Sequence, residues 1–428
     1  MTERPPPVVT ASAAADGPGA VNAGASGGRS SLTRGAGLVT PSLTLLNVAG
    51  YVLAVAASRA FSKDAYGELS ALLGALLVAS VPALAVQAVV ARSLALRPPA
   101  EPRGPRERAL LLRAGTGGLL VALVVAAAAP ALAAFLHTGV AGPLWLAAQL
   151  APYGVLCAAM GALQGTERFG ALAVVIVAQA VAKGLGVVPL LVGGDPAAVL
   201  ATMAGGMLLA ALLAVLLVRV GRHGPKAAHL PGARDVVGAA GGLLALLALA
   251  NLDLLLARHL LPGAESGRYS AGAVLARAAF WLPQAVAVVV FARLSDEEGG
   301  RVVLRRSVLV VTALGLVEVA GSALLAAPVL RLTFGSDYAS IAGIAPLWVL
   351  QGAALAVVQL LLYRSIALRD PVTGCVLAGA VVLEAAVILA LRPSTSAPVI
   401  TVAAVTAVLL SVGLLARSRR TPGTPAQT

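Results

Sequence analysis

Apolar residues run along this chain in long blocks, and polar residues gather in the short stretches between them. A helix needs about 20 apolar residues, at 1.5 Å per residue, to cross the hydrocarbon core of a bilayer. The pattern predicts twelve such helices, at 36–60, 67–93, 110–136, 142–163, 170–193, 196–219, 236–261, 267–293, 304–332, 341–366, 371–391 and 397–416. Two of the breaks between them are short, Gly193-Gly194-Asp195-Pro196 and Arg392-Pro393. Gly and Pro are nevertheless the residues that a tight turn needs. Composition agrees with the pattern. Of the 428 residues 59% are hydrophobic and 11% charged, and the mean hydropathy is +0.92. A soluble domain carries about 25% charged residues to solvate its surface. The expected fold class is all-α, a polytopic membrane protein with about twelve transmembrane helices.

Charge orients these spans. With the N-terminus in the cytoplasm, 23 of the 31 Lys and Arg fall on the cytoplasmic side. Six lie outside (Arg59, Lys63, Arg258, Arg268, Arg331 and Arg392), and Lys183 and Arg277 fall within spans. Positively charged loops stay on the cytoplasmic side of a membrane. The chain is thus expected in the cytoplasmic (cell) membrane as a multi-pass protein with both termini cytoplasmic. The net charge of +13 then reports topology and attraction to anionic membrane lipids. No aromatic-rich basic domain lies outside the spans, so no nucleic-acid partner is expected. Residues 1–35, rich in Ala, Gly, Pro and Ser, have no apolar core of a signal peptide and are expected as a disordered cytoplasmic tail. Cys157 and Cys375 stand alone in apolar spans, as small buried hydrophobes do.

A repeat divides the spans. Arg59, Gly67, Ser70-Ala71, Pro82 and Ala91-Arg92 mark the first helical pair. Arg258, Gly267, Ser270-Ala271, Pro283 and Ala292-Arg293 recur at nearly the same spacing in the seventh and eighth helices. Both copies start inside, so the repeat is parallel: two six-helix lobes related about the membrane normal, an architecture of transporters. The expected organisation is the tail 1–35, an N-terminal lobe 36–220, a cytoplasmic linker 221–235, a C-terminal lobe 236–416 and a basic cytoplasmic tail 417–428.

Four stretches resemble a known group. "SRAFSKDAYGELSAL" (58–72), "GALQGTERFGALA" (161–173), "NLDLLLARHLLPGAESGRYSAGAVLARAAFWLP" (251–283) and "LTFGSDYASIAGIAPLWVL" (332–350) are similar to signatures of the multidrug/oligosaccharidyl-lipid/polysaccharide exporter superfamily, on its polysaccharide biosynthesis branch of O-antigen and teichoic-acid flippases. The resemblance implies two six-helix lobes around a central cavity that opens alternately to each side. In the related lipid II flippases an acidic residue of helix 7 and an arginine of helix 8 belong to that cavity, and here they match Asp253 and Arg277. Those flippases carry two further C-terminal helices, whereas twelve are read here.

The residues themselves point to the same places. By helical rise Asp253 lies about 7 Å and Arg277 about 4 Å outward of the centres of their spans, hence at similar depth. Lys183, Glu318 and Glu384 are also mid-span. Ionisable groups at such depth face the bundle interior or water, and they often mark substrate or ion pathways. The candidate substrate and cavity residues are Arg277, Asp253, Lys183, Asn251 and Arg59. Asp253, Glu318 and Glu384 are candidates for ion coupling. Asp253 with Arg277 admits two readings, a cargo site or an ion pair holding helix 7 to helix 8. Gln87, Gln164, Gln179, Gln284, Gln351 and Gln359 suit either a sugar path or bonds between helices. Pro41, Pro82 and Pro283 can kink their helices.

No G-x-x-x-x-G-K-[ST] phosphate loop occurs, and His137, His223, His229 and His259 stand singly. Neither an enzyme, a metal site nor a cofactor is expected. The expected function is an alternating-access flippase or exporter moving a lipid-linked oligosaccharide or polysaccharide precursor across the membrane, with glycosyltransferase or polymerase partners. An ion-coupled multidrug exporter and a non-transporting membrane scaffold for cell-wall synthesis are the alternatives.

Overall fold

The computed structural model describes residues 22–95, 105–218, 233–281, 299–368, 370 and 372–420. These are helices joined by short turns: α1 (Asn22–Ala60), α2 (Lys63–Ala79), α3 (Val81–Ala95), α4 (Pro105–Ala127), α5 (Ala129–Leu136), α6 (Ala141–Gly165), α7 (Phe169–Gly184), α8 (Val188–Leu191) and α9 (Pro196–Val218). Then come α10 (Ala233–Leu260), α11 (Gly263–Trp281), α12 (Gly299–Thr333), α13 (Ala345–Ala367), α14 (Val372–Leu391) and α15 (Ser396–Arg420). Among the described residues eleven stretches are long and apolar enough to cross a membrane. The remaining expected span, 267–293, is described only as far as Trp281; this part is α11, which carries Glu265, Arg268 and Arg277.

Proline accounts for where spans break. Pro82 has no N–H for the carbonyl four residues back, and its ring crowds that carbonyl. The second span accordingly parts at Ser80, between α2 and α3. Pro130 follows the break at Ala128 between α4 and α5, and Pro189 follows the 3-10 turn Leu185–Val187 between α7 and α8. Pro41 is instead absorbed within α1; Pro283 lies outside the described residues. The two short breaks form turns, with Gly193 at φ 72° in the first and Arg392 at φ 46° in the second.

Packing repeats between the halves. In the first, α1 packs on α7, α3 and α4 on α6, and α6 and α7 on α9. In the second, α10 packs on α14, α11 and α12 on α13, and α13 and α14 on α15. Four of these pairings thus occur twice, in the same order along the chain, as a parallel repeat requires, and α11, the counterpart of α2, takes on α13 the place that α3 holds on α6. Between the halves α2 lies against α10 and α11, and α3 lies against α10. Leu53, Tyr66, Leu72, Leu254, Tyr269 and Trp348 belong to one buried cluster that spans this seam. Peripheral faces are apolar and exposed, as on α12 at Leu316, Val317, Leu324 and Leu325, which is the pattern of helices solvated by lipid.

The turns 61–62, 137–140, 261–262, 334–335 and 392–395 gather at one end of the bundle, here the turn face. Arg258 reaches Leu136 and His137, Arg59 reaches Leu332 and Thr333, and Ser396 reaches Glu265. The other end is the terminal face. Helix α1 begins at Asn22, inside the stretch 1–35 expected to be disordered, and α15 continues through Arg417 to Arg420. A span is already a helix nucleus, and extension adds a hydrogen bond for each residue ordered. Residues 1–21, most of the linker 221–235 and the end of the C-terminal tail lie outside the described residues.

Candidate functional site

Two cations come within electrostatic reach of each other where the lobes meet. Helix α10 carries Asn251, which is 1% exposed. Its amide donates back to the Leu247 carbonyl at 2.8 Å, and this fixes the side chain with its oxygen outward. Arg277 of α11 donates to that oxygen at 3.2 Å. Both groups lie close to Gly74 of α2, from the other lobe. Lys183 of α7 crosses the backbone of Gly50 in α1 and comes near enough to Arg277 for the two charges to interact. Tyr66, Asp253 and Tyr51 lie within electrostatic reach of Arg277. Among the described residues neither Arg277 nor Lys183 makes an ion pair. Leu77, Asn251, Arg277, Phe280, Gln351 and Leu355 border a cavity of about 20 Å³, room for one water.

Asp253, a neighbour of this site, turns to other partners. It is 2% exposed and accepts hydrogen bonds from the Tyr269 hydroxyl at 2.6 Å and the Gln351 amide at 3.0 Å. The Tyr269 ring meets Trp348 edge-on at 5.4 Å. Glu384 of α14, 1% exposed, comes within electrostatic reach of Asp253 and Tyr269. Its Oε1 and the Oε1 of Gln351 are buried without a hydrogen-bond partner. The result is an oxygen-rich polar knot inside the C-terminal lobe.

The expected pair of Asp253 with Arg277 is therefore not formed. Asn251 and Asp253 are two residues apart, which turns them roughly 200° from each other around the helix. Asn251 faces the seam and Arg277, while Asp253 faces α13 and α14. Arg59 is also absent from the central cavity. It stands in the last turn of α1, exposed, and caps the end of α12 through the Leu332 and Thr333 carbonyls. Glu318 lies on α12, half-buried beside exposed Leu316 and Val317, with neither carboxylate oxygen hydrogen-bonded. The structure thus bonds Arg277 to Asn251 with Lys183 within electrostatic reach, and sets Asp253 beside them, bonded to Tyr269 and Gln351 with Glu384 near it. Of the glutamines, Gln351 makes a bond between helices and Gln359 bonds Tyr363 within its own. Sequence reasoning missed Tyr269 and Trp348 as members of the knot. A signal existed for the first, because Asp253 and Tyr269 lie nearly equally far from the turn Leu261–Pro262.

No protein-family model and no curated protein matches the sequence. Solved structures do match. The lipid II flippase MurJ in an inward closed conformation is similar with a TM-score of 0.67 and 11% identity, over 90% of this chain and 88% of that one. The Vibrio cholerae MATE transporter VcmN gives 0.62 and 14%, over 92% and 98%. A MOP superfamily transporter from Pyrococcus furiosus gives 0.55 and 14%, over 91% and 94%. At such identities the likeness is one of architecture, and the chain has the two-lobed helical fold of MOP superfamily transporters.

Proposed function

We propose that this protein is an alternating-access flippase that moves a lipid-linked oligosaccharide or polysaccharide precursor across the cytoplasmic membrane. One observation carries the reading: Arg277 and Lys183, on helices of opposite lobes, lie within electrostatic reach of each other, and among the described residues neither makes an ion pair, Arg277 bonding the neutral Asn251. Buried cations outside any ion pair are costly in a membrane protein, and an anionic cargo head supplies a direct partner. Arg277 offers a planar fork to phosphate oxygens and Lys183 a point charge. Cargo bridging the two cations draws the lobes together, which ties binding to rocking. The fold shared with the lipid II flippase MurJ supports a lipid-linked substrate. In this reading the turn face is external, both termini are cytoplasmic, and glycosyltransferases or a polymerase work on the same precursor.

Coupling is assigned to the Asp253–Glu384 knot. Two buried carboxylates with unpartnered amide and carboxylate oxygens beside them suit a proton or a hard monovalent cation. Glu318 stands apart from that knot and has no part in it.

Flipping of lipid-linked sugars by the full chain in proteoliposomes tests the reading. A diphosphate-linked cargo should cross, Arg277→Ala should lose most of that rate, and Arg277→Lys should fall between. The kinship in fold with MATE transporters makes an ion-coupled multidrug exporter the second reading. Export of a cationic dye that survives Arg277→Ala, with no lipid-linked sugar moved, would replace the first by the second. Wild-type cell-wall synthesis in cells after neutralisation of Arg277, Lys183, Asp253 and Glu384 together, with no transport by the parent chain in proteoliposomes, would leave only a scaffold.

A further inference from the structure

The turn face is held shut by two arginines that the internal repeat places in equivalent positions. Arg59 ends the first helix of the N-terminal half, and Arg258 ends the first helix of the C-terminal half. The last carbonyls of a helix have no N–H ahead of them and carry the negative end of its dipole. Arg59 donates to the carbonyls of Leu332, through Nη2, and Thr333, through Nε at 2.8 Å, at the end of α12. Arg258 donates to the carbonyls of Leu136 at 2.8 Å and His137 at 2.9 Å, at the end of α5. Each half therefore caps the third span of the other.

The two caps differ in strength. Arg258 is 4% exposed and also bonds the Asp64 carboxylate at 2.6 Å. Beside it His259 meets the Phe135 carbonyl at 2.8 Å and stacks on that ring. Arg59 is exposed and lines an open cleft of about 630 Å³ with Ser58, Phe61, Phe334 and Ser336. Its neighbouring cross-lobe tie, Lys63 to Asp337 at 2.8 Å, is solvated, with Asp337 at 70% exposure.

We propose that Arg59 and Arg258 are the two arms of a latch that closes the turn face, and that the Arg59 arm releases first. Exposed pairs contribute little and open readily, whereas a buried arginine stripped of its partners is costly. Opening therefore begins between α1 and α12, and the Arg258 side acts as the hinge. This holds for whatever cargo the seam carries.

Distances between spin labels on the full chain test the order, with Cys157 and Cys375 first replaced by Ala. One pair, Ala60→Cys with Ser336→Cys, spans the Arg59 arm. The other, Gly139→Cys with Ala264→Cys, spans the Arg258 arm. Arg59 is exposed, so Arg59→Gln folds without a buried loss. It should raise a second, longer population at the first pair by about fivefold, the upper worth of an exposed contact, and leave the second pair unchanged. An unchanged first pair, or equal lengthening at both, overturns the proposal. Arg258→Gln should lengthen both pairs; lengthening at the second alone would also overturn it.

Discussion

Gly267 is where the seam has least room. A Cβ built there would collide with the carbonyl of Lys63 in the other lobe and would stand 2.9 Å from the Lys63 Cα. Backbone cannot rotate aside as a side chain can, so Gly267→Ala must push α11 away from α2. Overpacking of this kind costs about 1–3 kcal/mol. The gain in helix propensity from Gly to Ala is about 1 kcal/mol, and the net loss reaches about 2 kcal/mol. Gly67→Ala meets mainly the Ser266 hydroxyl, at 2.8 Å, and the Gly267 nitrogen at 3.0 Å, so its cost should be smaller. Gly205 has nothing within 4 Å, and its Ala variant should keep the propensity gain. Thermal unfolding of the three purified variants in detergent ranks them: Gly205→Ala at or above the parent, Gly67→Ala next, Gly267→Ala lowest. Equal midpoints for Gly267→Ala and Gly205→Ala would refute the claim that the lobes touch backbone to backbone here.

Three more outcomes follow from particular contacts. Asp370, between α13 and α14, accepts from Arg417 at 2.8 Å, and that bond holds its carboxyl below the ordinary value. A depressed carboxyl stabilises above the unfolded value, near 4, and loses this as pH falls through the folded one; amide exchange at the end of α15 should rise below pH of about 4, and Asp370→Asn should remove that step. In double-mutant cycles, Asp253→Asn with Tyr269→Phe, which share a 2.6 Å bond, should show larger coupling than Asp253→Asn with Arg277→Gln, which share no hydrogen bond. Reporters fused after Arg420 and at Gly194 should appear in the cytoplasm and outside respectively, and reversal at either site would invert the assigned orientation.

The spans were legible because a bilayer accepts one local solution, an apolar helix with every backbone bond made internally. Pro82 announced its own break for an equally local reason. The pairing of Arg277 was legible only in part. Depth along the membrane normal follows from counting residues, and it put Asp253, Arg277 and Lys183 at comparable heights. Direction around the helix does not follow from a count when a span is apolar on nearly all sides. Asn251 rather than Asp253 thus turned out to face Arg277. Arg59 was read at the outer end of its span, where α1 does end, but its partners Leu332 and Thr333 lie far along the chain, so no local pattern told a helix cap from a cavity residue. The bond of Gln351 to Asp253 joins residues far apart in the chain, and no local pattern encodes it.

The crossed arginine caps carry a consequence for how such a chain arises. Contacts in which the first element of one half serves the third element of the other, and the reverse, are the signature of an isologous dimer about a two-fold axis. Neither half completes its own helix ends; each leaves carbonyls that only a partner of the same design can satisfy. A single six-helix half would therefore be expected to pair with a second copy of itself, its arginine reaching the partner's third helix. Fusion of two such copies keeps that geometry and frees the halves to diverge. Their divergence is visible in Asp64, which meets the Arg258 arm, while the equivalent position facing Arg59 is Ala264.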